Sequence, residues 1–259
     1  MNRFVPIVLA VLVVAAAWLL RDRIFPPPVH TEVAPQADVD AAPVDTGPKH
    51  PLPPADAAGD GSLVALPPLD DSDAWFLLAM VDLFGKDVEP LLIKQSLIDR
   101  FVATVDNLPQ PHIAEKIRPV GKLQQAFVAG ADGDDGRYLL QADNFERYNL
   151  AVRLASSADP DLVAATYRRY YPLMQESYER LGYPNAHFND RVVEVIDHLL
   201  ATPELESPAQ LVRPKVLYEF ADPELEALSG GQKLLLRMGN DHAATIKSVL
   251  RELRARIAS

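Results

Sequence analysis

Apolar positions recur at helical spacing through most of the chain after residue 68, and this pattern predicts a mostly helical fold. Asp159-Pro160 and Asp222-Pro223 each place a capping carboxylate before a proline, which is typical of a helix start. Gly182 stands where the long helix after Pro160 is expected to end. The predicted helices are 74–84, 88 to about 105, 160–181, one opened by Asn189 or Asp190, 223–228, 232–238 and one that follows Gly239.

One place in the sequence shows a clear strand signal. Short apolar runs at 125–129 and 137–141 flank a stretch rich in glycine and aspartate, which predicts a β-hairpin. Asp132-Gly133-Asp134-Asp135-Gly136 resembles the start of a calcium loop, but Gly136 and Arg137 stand where that loop needs an oxygen ligand and a glycine. A hairpin turn is therefore the favoured interpretation.

The apolar pattern near the N-terminus differs from the rest because it has no polar face. Residues 4–20 carry no charge and are bracketed by arginines. As a helix they would span about 25 Å, close to the thickness of a bilayer core. Small residues at 15–17 also fit a signal-peptide cleavage site, but Trp18 and the two leucines after it continue the apolar run. We therefore expect residues 1–25 to be an uncleaved transmembrane anchor, with the N-terminus in the cytoplasm.

Residues 26–68 have the composition of a tether. Eleven of the 23 prolines fall here, and each removes a backbone donor, so neither a helix nor a sheet ladder can propagate. We predict a disordered Pro/Ala/Asp-rich linker over 26–68 that spaces the domain from the membrane. A ligand for a proline-binding domain is the alternative role. Residues 69–259 are then expected to form a helical, bundle-like globular domain with one small β-hairpin.

Composition and charge exclude several classes of protein. The chain has no cysteine, which excludes a disulfide scaffold, a thiolate metal site and a cysteine nucleophile. A formal net charge of −11 and a sequence pI near 5.0 argue against nucleic-acid binding. Leu228-Ser229-Gly230-Gly231-Gln232 matches the signature motif of ATP-binding-cassette ATPases, but the chain has no Walker A loop. We expect no nucleotide here, because the two glycines suffice to end one helix and begin another.

Polar residues on and around the predicted helix at 189–198 are the candidate binding or catalytic residues. Asp190, Glu194 and His198 are spaced four apart, so they share one helix face. Such a face could bind a divalent metal or supply an acid and a base. The valine and leucine stripe opposite favours simple solvent exposure instead, and we predict neither a metal site nor a cofactor. The predicted ligand or partner surface consists of Tyr183, Asn189, Asp190, Arg191, Glu194, His198 and Tyr218.

Five of the eight tyrosines fall between residues 167 and 183, beside three arginines. Stacking rings with orienting hydroxyls would suit a groove for a glycan or a peptide. The helical spacing of Tyr167, Tyr171 and Tyr178 favours partial packing in the core instead.

Several blocks of this sequence resemble an uncharacterised bacterial family, catalogued as domain-of-unknown-function family 3014. The blocks are FVATVDNLP at 101–109, FNDRVVEVIDHLLATP at 188–203, YEFADP at 218–223 and GQKLLLRMG at 231–239. The resemblance extends over roughly residues 69–257 and includes the order of anchor, linker and domain. It implies a Gram-negative envelope setting, but no activity, cofactor or catalytic residue.

Together these observations predict a single-pass inner-membrane protein that presents a helical binding or scaffolding domain in the periplasm. The expected partners are the inner membrane, through residues 4–20, and an envelope protein or glycan. No complete catalytic constellation is found, so an enzyme is not the favoured class. The alternative is an envelope hydrolase that acts on glycan or peptide with the carboxylates of the 189–198 helix.

Overall fold

A computed structural model describes residues 47–53, 64–121, 127–131, 136–215 and 217–258. Within these ranges the chain is mostly helical, as its apolar spacing predicts. The helices are, in chain order, α1 (Asp73–Phe84), α2 (Leu97–Asn107), α3 (Asp143–Glu146), α4 (Asn149–Ser157), α5 (Pro160–Arg180), α6 (Phe188–Leu200), α7 (Pro223–Glu226), α8 (Gly230–Arg237) and α9 (Asn240–Ile257). Short 3₁₀ helices lie at Leu69–Asp71, Lys86–Leu91 and Glu115–Ile117.

The helix starts predicted from an aspartate–proline pair are confirmed. The Asp159 carboxylate accepts hydrogen bonds from the Asp161 and Leu162 N–H groups at 2.9 and 3.2 Å, and Asp222 caps α7 in the same way. Gly182 follows the end of α5 with a φ of 109°, a left-handed conformation that glycine adopts without strain.

One predicted helix is wrong in its extent. The helix expected from residue 88 to about 105 is interrupted before α2 begins at Leu97. The Asp73 carboxylate in the first turn of α1 accepts hydrogen bonds from the Ser96 and Leu97 N–H groups at 2.8 and 2.7 Å. Ser96 takes a left-handed conformation with φ 50°. A long-range contact thus replaces the helical bonds, and such a tertiary effect is not contained in local spacing.

The predicted hairpin is present and forms half of a larger sheet. Strands β1 (Ala129–Ala131) and β2 (Arg137–Leu140) are antiparallel, with Ala129 opposite Leu140. Strands β3 (Gln210–Val212) and β4 (Glu219–Phe220) extend the sheet in the order β1-β2-β3-β4, and every pairing is antiparallel. The sequence did not predict β3 and β4 because strands of three and two residues are too short for alternation to show.

Two apolar clusters hold the domain together. The larger lies between the helices, where α2 packs against α5 and α6, and α9 packs against α4, α5 and α6. In this cluster the Phe101 ring lies 6.4 Å from the rings of both Phe76 and Phe188. The smaller cluster includes Leu211 and Phe220 and joins the sheet to α8. Phe188, the first residue of α6, belongs to the larger cluster, so the first turn of α6 is packed on that core.

Two stretches of the predicted linker, residues 47–53 and 64–68, lie against this domain instead of apart from it. Leu52 and Leu66 pack on the larger core, and Arg169 donates a hydrogen bond to the Val64 carbonyl at 3.1 Å. The rest of the predicted linker and the predicted anchor at 4–20 lie outside the described residues. In the described part of the chain, no helix combines the length and the apolar character that crossing a membrane requires.

Candidate functional site

The first turn of α6 is held in place by a side chain of α5. The Gln175 side-chain oxygen accepts a hydrogen bond from the Phe188 N–H at 2.8 Å. This bond satisfies one of the free amides at a helix start where the N-cap residue, His187, provides no side-chain cap. Asn189 and Asp190 follow directly, and both contact residues 47–53, which we term the docked segment.

Asp190 binds the docked segment through both oxygens of its carboxylate. Oδ2 accepts a hydrogen bond from the Lys49 N–H at 2.9 Å, and Oδ1 accepts one from the His50 N–H at 2.8 Å. The backbone bends at these two residues, so that both amides point to one carboxylate. Hydrogen bonds to an ionised acceptor are the stronger kind. Asp190 also lies in the first turn of α6, the end of the helix dipole that attracts carboxylates.

Asn189 joins the docked segment to two helices at a buried point. The residue is only 1% exposed. Nδ2 donates to the His50 carbonyl at 2.7 Å and to the Ile257 carbonyl, at the end of α9, at 2.9 Å. Oδ1 accepts a hydrogen bond from the Tyr167 hydroxyl at 3.1 Å. Burial raises the pKa of Tyr167 well above its usual range, so this hydroxyl remains a donor.

Arg191, Glu194 and Tyr183 gather instead around Asp106, near the end of α2. Arg191 Nε donates to Asp106 Oδ1 at 2.8 Å, and Nη2 donates to the Asp106 carbonyl at 2.7 Å. Nη1 pairs with Glu194 Oε2 at 3.0 Å. The Tyr183 hydroxyl donates to Asp106 Oδ2 at 3.4 Å. The Arg191 and Asp106 side chains are 17% and 13% exposed, so water screens this pair less than an ion pair on the open surface.

The charges of this cluster shift the pKa values of its members. Burial lowers the pKa of Arg191, but Glu194 and Asp106 outweigh burial and the net shift is upward. Asp106, with a smaller effect of burial, raises the pKa of Tyr183. Burial, followed by Asp106, raises the pKa of Tyr178 to about 12. At neutral pH the arginine is therefore charged and both tyrosines are neutral.

His198, near the other end of α6, contacts Ser229 of the Leu228–Gln232 stretch. His198 Nε2 lies 2.8 Å from Ser229 Oγ. Ser229 and Gln232 form a capping box at the start of α8: Ser229 Oγ accepts the Gln232 N–H at 3.2 Å, and Gln232 Oε1 accepts the Ser229 N–H at 3.4 Å. Burial, together with the nearby Arg191 guanidinium, lowers the pKa of His198 and favours its neutral form.

The two glycines that follow Ser229 are explained by close packing against the loop after α2. The Gly230 N–H donates to the Gln110 carbonyl at 2.7 Å, and the Gly231 N–H donates to the Leu108 carbonyl at 3.0 Å. A Cβ on Gly231 would lie 2.7 Å from Leu199 Cδ2 and 3.0 Å from the Leu108 oxygen. The serine, both glycines and the glutamine of this stretch therefore have a structural explanation.

Tyr218 does not join the α6 residues. Its ring lies 5.3 Å from the ring of Phe127 and 5.0 Å from that of Tyr138, and the Arg213 guanidinium lies 5.4 Å from its centre. These contacts belong to the smaller cluster, next to the sheet. The predicted surface thus divides into separate places: the Asp190 contact with the docked segment, the network around Asp106, the His198–Ser229 pair, and Tyr218.

The tyrosines of α5 mostly pack in the core, as their spacing favours. Tyr167, Tyr170 and Tyr178 are buried, and the Tyr170 hydroxyl donates to the Trp75 carbonyl at 3.0 Å. Tyr183, beyond the end of the helix, is 41% exposed. No row of exposed rings suited to stacking on a glycan lies along the described length of α5.

The described ranges contain no group of three His, Asp or Glu side chains placed as metal ligands would be. An open cavity of about 410 Å³ lies between β2, residues 205–209 and the junction of α8 with α9. Leu140, Phe145, Leu236 and Met238 contribute to its apolar lining, and none of the predicted site residues lines it. The carboxylates of Asp190 and Glu194 therefore do not face this cavity, and the contacts described above engage both.

Comparison with known proteins places the chain in a family. The family model described as "Protein of unknown function (DUF3014)" matches residues 97–254. The chain belongs to the DUF3014 family. The match begins at the first residue of α2 and includes Asn189 and Asp190, whereas the docked segment precedes it. No curated protein and no solved structure gives a significant match.

Sequence reasoning missed three parts of this DUF3014 site: Asp106, Gln175 and the docked segment. Asp106 lies in the FVATVDNLP block, so its position beside a family motif was a usable signal. Gln175 lies in the middle of a helix and has no local signature. In the docked segment, the usable signal was the spacing of the prolines: Pro48 and Pro51 enclose two residues that both keep an N–H group.

Proposed function

We propose that this DUF3014 protein is a single-pass inner-membrane protein whose helical domain is a binding or scaffolding module in the periplasm of a Gram-negative bacterium, and that it binds a polypeptide segment beside Asn189 and Asp190. One observation carries the proposal: a stretch of polypeptide already occupies this surface. The N–H and the C=O of His50 are both bound, by Asp190 and Asn189. Contacts to main-chain atoms are how many domains bind segments of a partner.

The strength of these contacts suits an exchangeable complex. A hydrogen bond to a charged group contributes about 1.5–3 kcal/mol, so the two bonds to Asp190 together contribute about 3–6 kcal/mol, a range that includes the ~4 kcal/mol of a millimolar complex. Asn189 adds a bond from a side chain that Tyr167 and Ile257 already hold in place. A preorganised group loses little conformational entropy on binding. The site can therefore hold a short segment without holding it permanently.

The membrane anchor and the orientation rest on the sequence. The uncharged stretch at 4–20 and the arginines that bracket it favour an anchored chain with a periplasmic domain. The resemblance noted above, which implies a Gram-negative envelope setting, agrees with this, although the family match itself begins at Leu97. Binding, rather than catalysis, is the better-supported class because the α6 carboxylates are engaged by backbone amides and by Arg191.

Reporter fusions test the topology. One reporter that is active only in the periplasm and one that is active only in the cytoplasm are each fused after Leu66, with matched fusions that lack residues 4–20. We expect signal from the periplasmic reporter alone, and its loss when residues 4–20 are removed. A cytoplasmic signal from the full fusion would contradict the proposed localisation.

Crosslinking in intact cells tests the binding role. The full chain is compared with Asp190→Asn and with Asp197→Asn, which alters an α6 carboxylate that pairs with Arg254 and not with the docked segment. We expect an envelope protein that is crosslinked to the wild type and to Asp197→Asn but much less to Asp190→Asn. The same set of products from all three chains would count against a binding role for this surface.

A Glu194→Gln variant tests the hydrolase alternative separately. If the folded variant complements a deletion as well as the wild type does, Glu194 has no catalytic role. Loss of complementation, with the fold intact by circular dichroism and the Asp190-dependent crosslink retained, would favour the hydrolase over the binding module.

A further inference from the structure

The docked segment is bound through a pattern of backbone donors that its prolines define. Lys49 and His50 provide the two N–H groups that Asp190 binds, and they stand between Pro48 and Pro51. Proline has no N–H, so the segment presents one pair of consecutive donors with none on either side. A carboxylate has two oxygens and matches that pair. The register of the segment on Asp190 is therefore determined by where the prolines are.

This pattern is rare in the chain. Of the 23 prolines, only two pairs are three residues apart, Pro48 with Pro51 and Pro51 with Pro54. The second pair encloses Leu52 and Pro53, so it offers a single N–H group. A shift of the segment by three residues would leave one Asp190 oxygen without its donor, at a cost typical of an unmade hydrogen bond to a charged group.

The side chain at the first enclosed position contributes little to the contact, whereas the residue after the second proline contributes an apolar contact. Lys49 is exposed. Leu52 is half-buried and packs against the larger core. Asn189 adds a bond to the His50 carbonyl, which every amino acid possesses. The contacts thus use two consecutive backbone N–H groups, one carbonyl and an apolar side chain two positions further on, and proline on either side of the pair leaves no neighbouring donor.

From these contacts we infer that the Asn189–Asp190 site is selective for a segment of a partner polypeptide that presents two consecutive backbone N–H groups and an apolar residue two positions after them, as residues 49–52 do, and that the chain's own docked segment occupies the site until such a partner displaces it. The inference rests on the proposed binding function and names the class of its partner. The docked segment belongs to the same chain as the site, and covalent linkage of this order of length gives an effective concentration on the order of 1 mM. A partner therefore competes with a segment that is always nearby.

Peptide binding to the full chain, kept in mild detergent, tests this inference. The probe is a fluorescent peptide with the sequence of residues 46–54, and its matched control carries His50→Pro, which removes one of the two donors. The receptor chains are the wild type, Lys49→Ala, His50→Pro and His50→Pro combined with Asp190→Asn. The Lys49→Ala chain changes the segment but keeps both of its N–H groups. Circular dichroism verifies that each chain is folded.

We expect the probe to bind the His50→Pro chain at least about twofold more tightly than it binds the wild-type or Lys49→Ala chain, because only the first has a vacated site, and a tethered segment at about 1 mM half-fills a millimolar site. We expect the control peptide, or the added Asp190→Asn change, to weaken binding at least tenfold.

Equal binding of probe and control would overturn the selectivity and leave the binding function standing. Equal binding to the wild-type and His50→Pro chains would overturn occupation by the chain's own segment. If neither peptide binds the His50→Pro chain at about 1 mM, the proposed function of this site fails as well.

Discussion

At the scale of single residues, Gly231 shows how a side chain can be excluded by packing alone. Its backbone lies so close to the loop after α2 that a Cβ would meet the Leu108 carbonyl oxygen at 3.0 Å. That oxygen also accepts the Gly231 N–H, so it cannot move away without loss of the hydrogen bond. The glycine pair, which in the sequence resembles part of a nucleotide-binding motif, is thus a point of close helix–loop approach.

We expect Gly231→Ala to destabilise the domain by about 1–3 kcal/mol, the usual effect of overpacking a core. Urea denaturation gives the free energy of unfolding. Gly121→Ala is the matched control, because a Cβ there would find its nearest neighbour, the Leu91 oxygen, at an ordinary 3.8 Å. If Gly231→Ala were as stable as Gly121→Ala, the close approach would not be a constraint on the sequence.

His198 makes the stability of the folded chain depend on pH. Burial and the nearby Arg191 guanidinium lower its pKa below the 6.5 of an unperturbed imidazole. Below pH 6.5 the unfolded chain therefore binds a proton that the folded chain does not, and stability falls as the pH falls toward the folded pKa. Well above pH 6.5 the imidazole is neutral in both the folded and the unfolded chain, so its full contribution to stability is present.

Comparison with His198→Gln isolates this contribution. We expect the wild type to exceed the variant in free energy of unfolding by a constant amount above about pH 7, and by a smaller amount as the pH is lowered to 5. Urea titrations at intervals of pH provide the measurement, and Glu194, which also faces the imidazole, is unchanged in both chains. A difference that is independent of pH, or that grows in acid, would contradict the lowered pKa.

At the scale of elements, α7 and α8 are joined by a buried ion pair. Lys233 of α8 has a side chain that is 2% exposed, and its Nζ donates to Glu226 Oε1 at 2.8 Å and to the Glu226 carbonyl at 2.9 Å. The other carboxylate oxygen of Glu226 accepts the Phe220 N–H from β4 at 2.9 Å. One carboxylate thus holds the edge of the sheet to α8.

We expect Glu226→Ala to lower the free energy of unfolding by about 3 kcal/mol, because it leaves the Lys233 ammonium buried and without its carboxylate. The double variant Glu226→Ala with Lys233→Met removes the unpaired charge and should recover part of that loss. Glu224→Ala, an exposed change on the same short helix, is the control. Thermal or urea unfolding of the four chains decides the matter: equal stability of the single and double variants would show that the buried charge is not the cause.

The elements also show where local sequence signals succeed and where they fail. The starts of α5 and α7 were predictable because an aspartate caps the amides two or three residues ahead of it. The interruption before α2 was not, because Asp73, which binds the Ser96 and Leu97 amides, is 23 and 24 residues away. At the candidate site, the residue types on α6 were recognised, but their partners Asp106 and His50 lie 85 and 140 residues away.

At the scale of the whole molecule, the docked segment changes the geometry of the tether. A linker expected to span residues 26–68 without contact is instead held to the domain at 47–53 and at 64–68. In the membrane-anchored arrangement proposed above, only the part of the predicted linker between residue 26 and the first contact would separate domain and membrane while the docked segment is bound. Release of the segment would lengthen that reach.

Trypsin cleavage after Lys49 measures the release. Protease attacks the undocked form, so the cleavage rate follows its population. Asp190→Asn replaces one acceptor oxygen by an NH₂ group, and a loss of about 1.4 kcal/mol would raise the ratio of undocked to docked chains tenfold. We expect faster cleavage in Asp190→Asn, by up to about tenfold, and an unchanged rate in Asp197→Asn. Equal rates in all three chains would mean that Asp190 does not hold the segment.

The sequence by itself determined the mostly helical class, the capped helix starts and the hairpin, because these depend on residues that are close together along the chain. It also predicts an anchor at 4–20, which stays a prediction. Only the tertiary structure decided that Asp190 binds a stretch of the predicted linker, that Arg191 pairs with Asp106 and that Tyr218 packs next to the sheet. Each of the two α6 contacts joins residues at least 85 positions apart, and such contacts depend on how the helices pack rather than on the periodicity of any one segment.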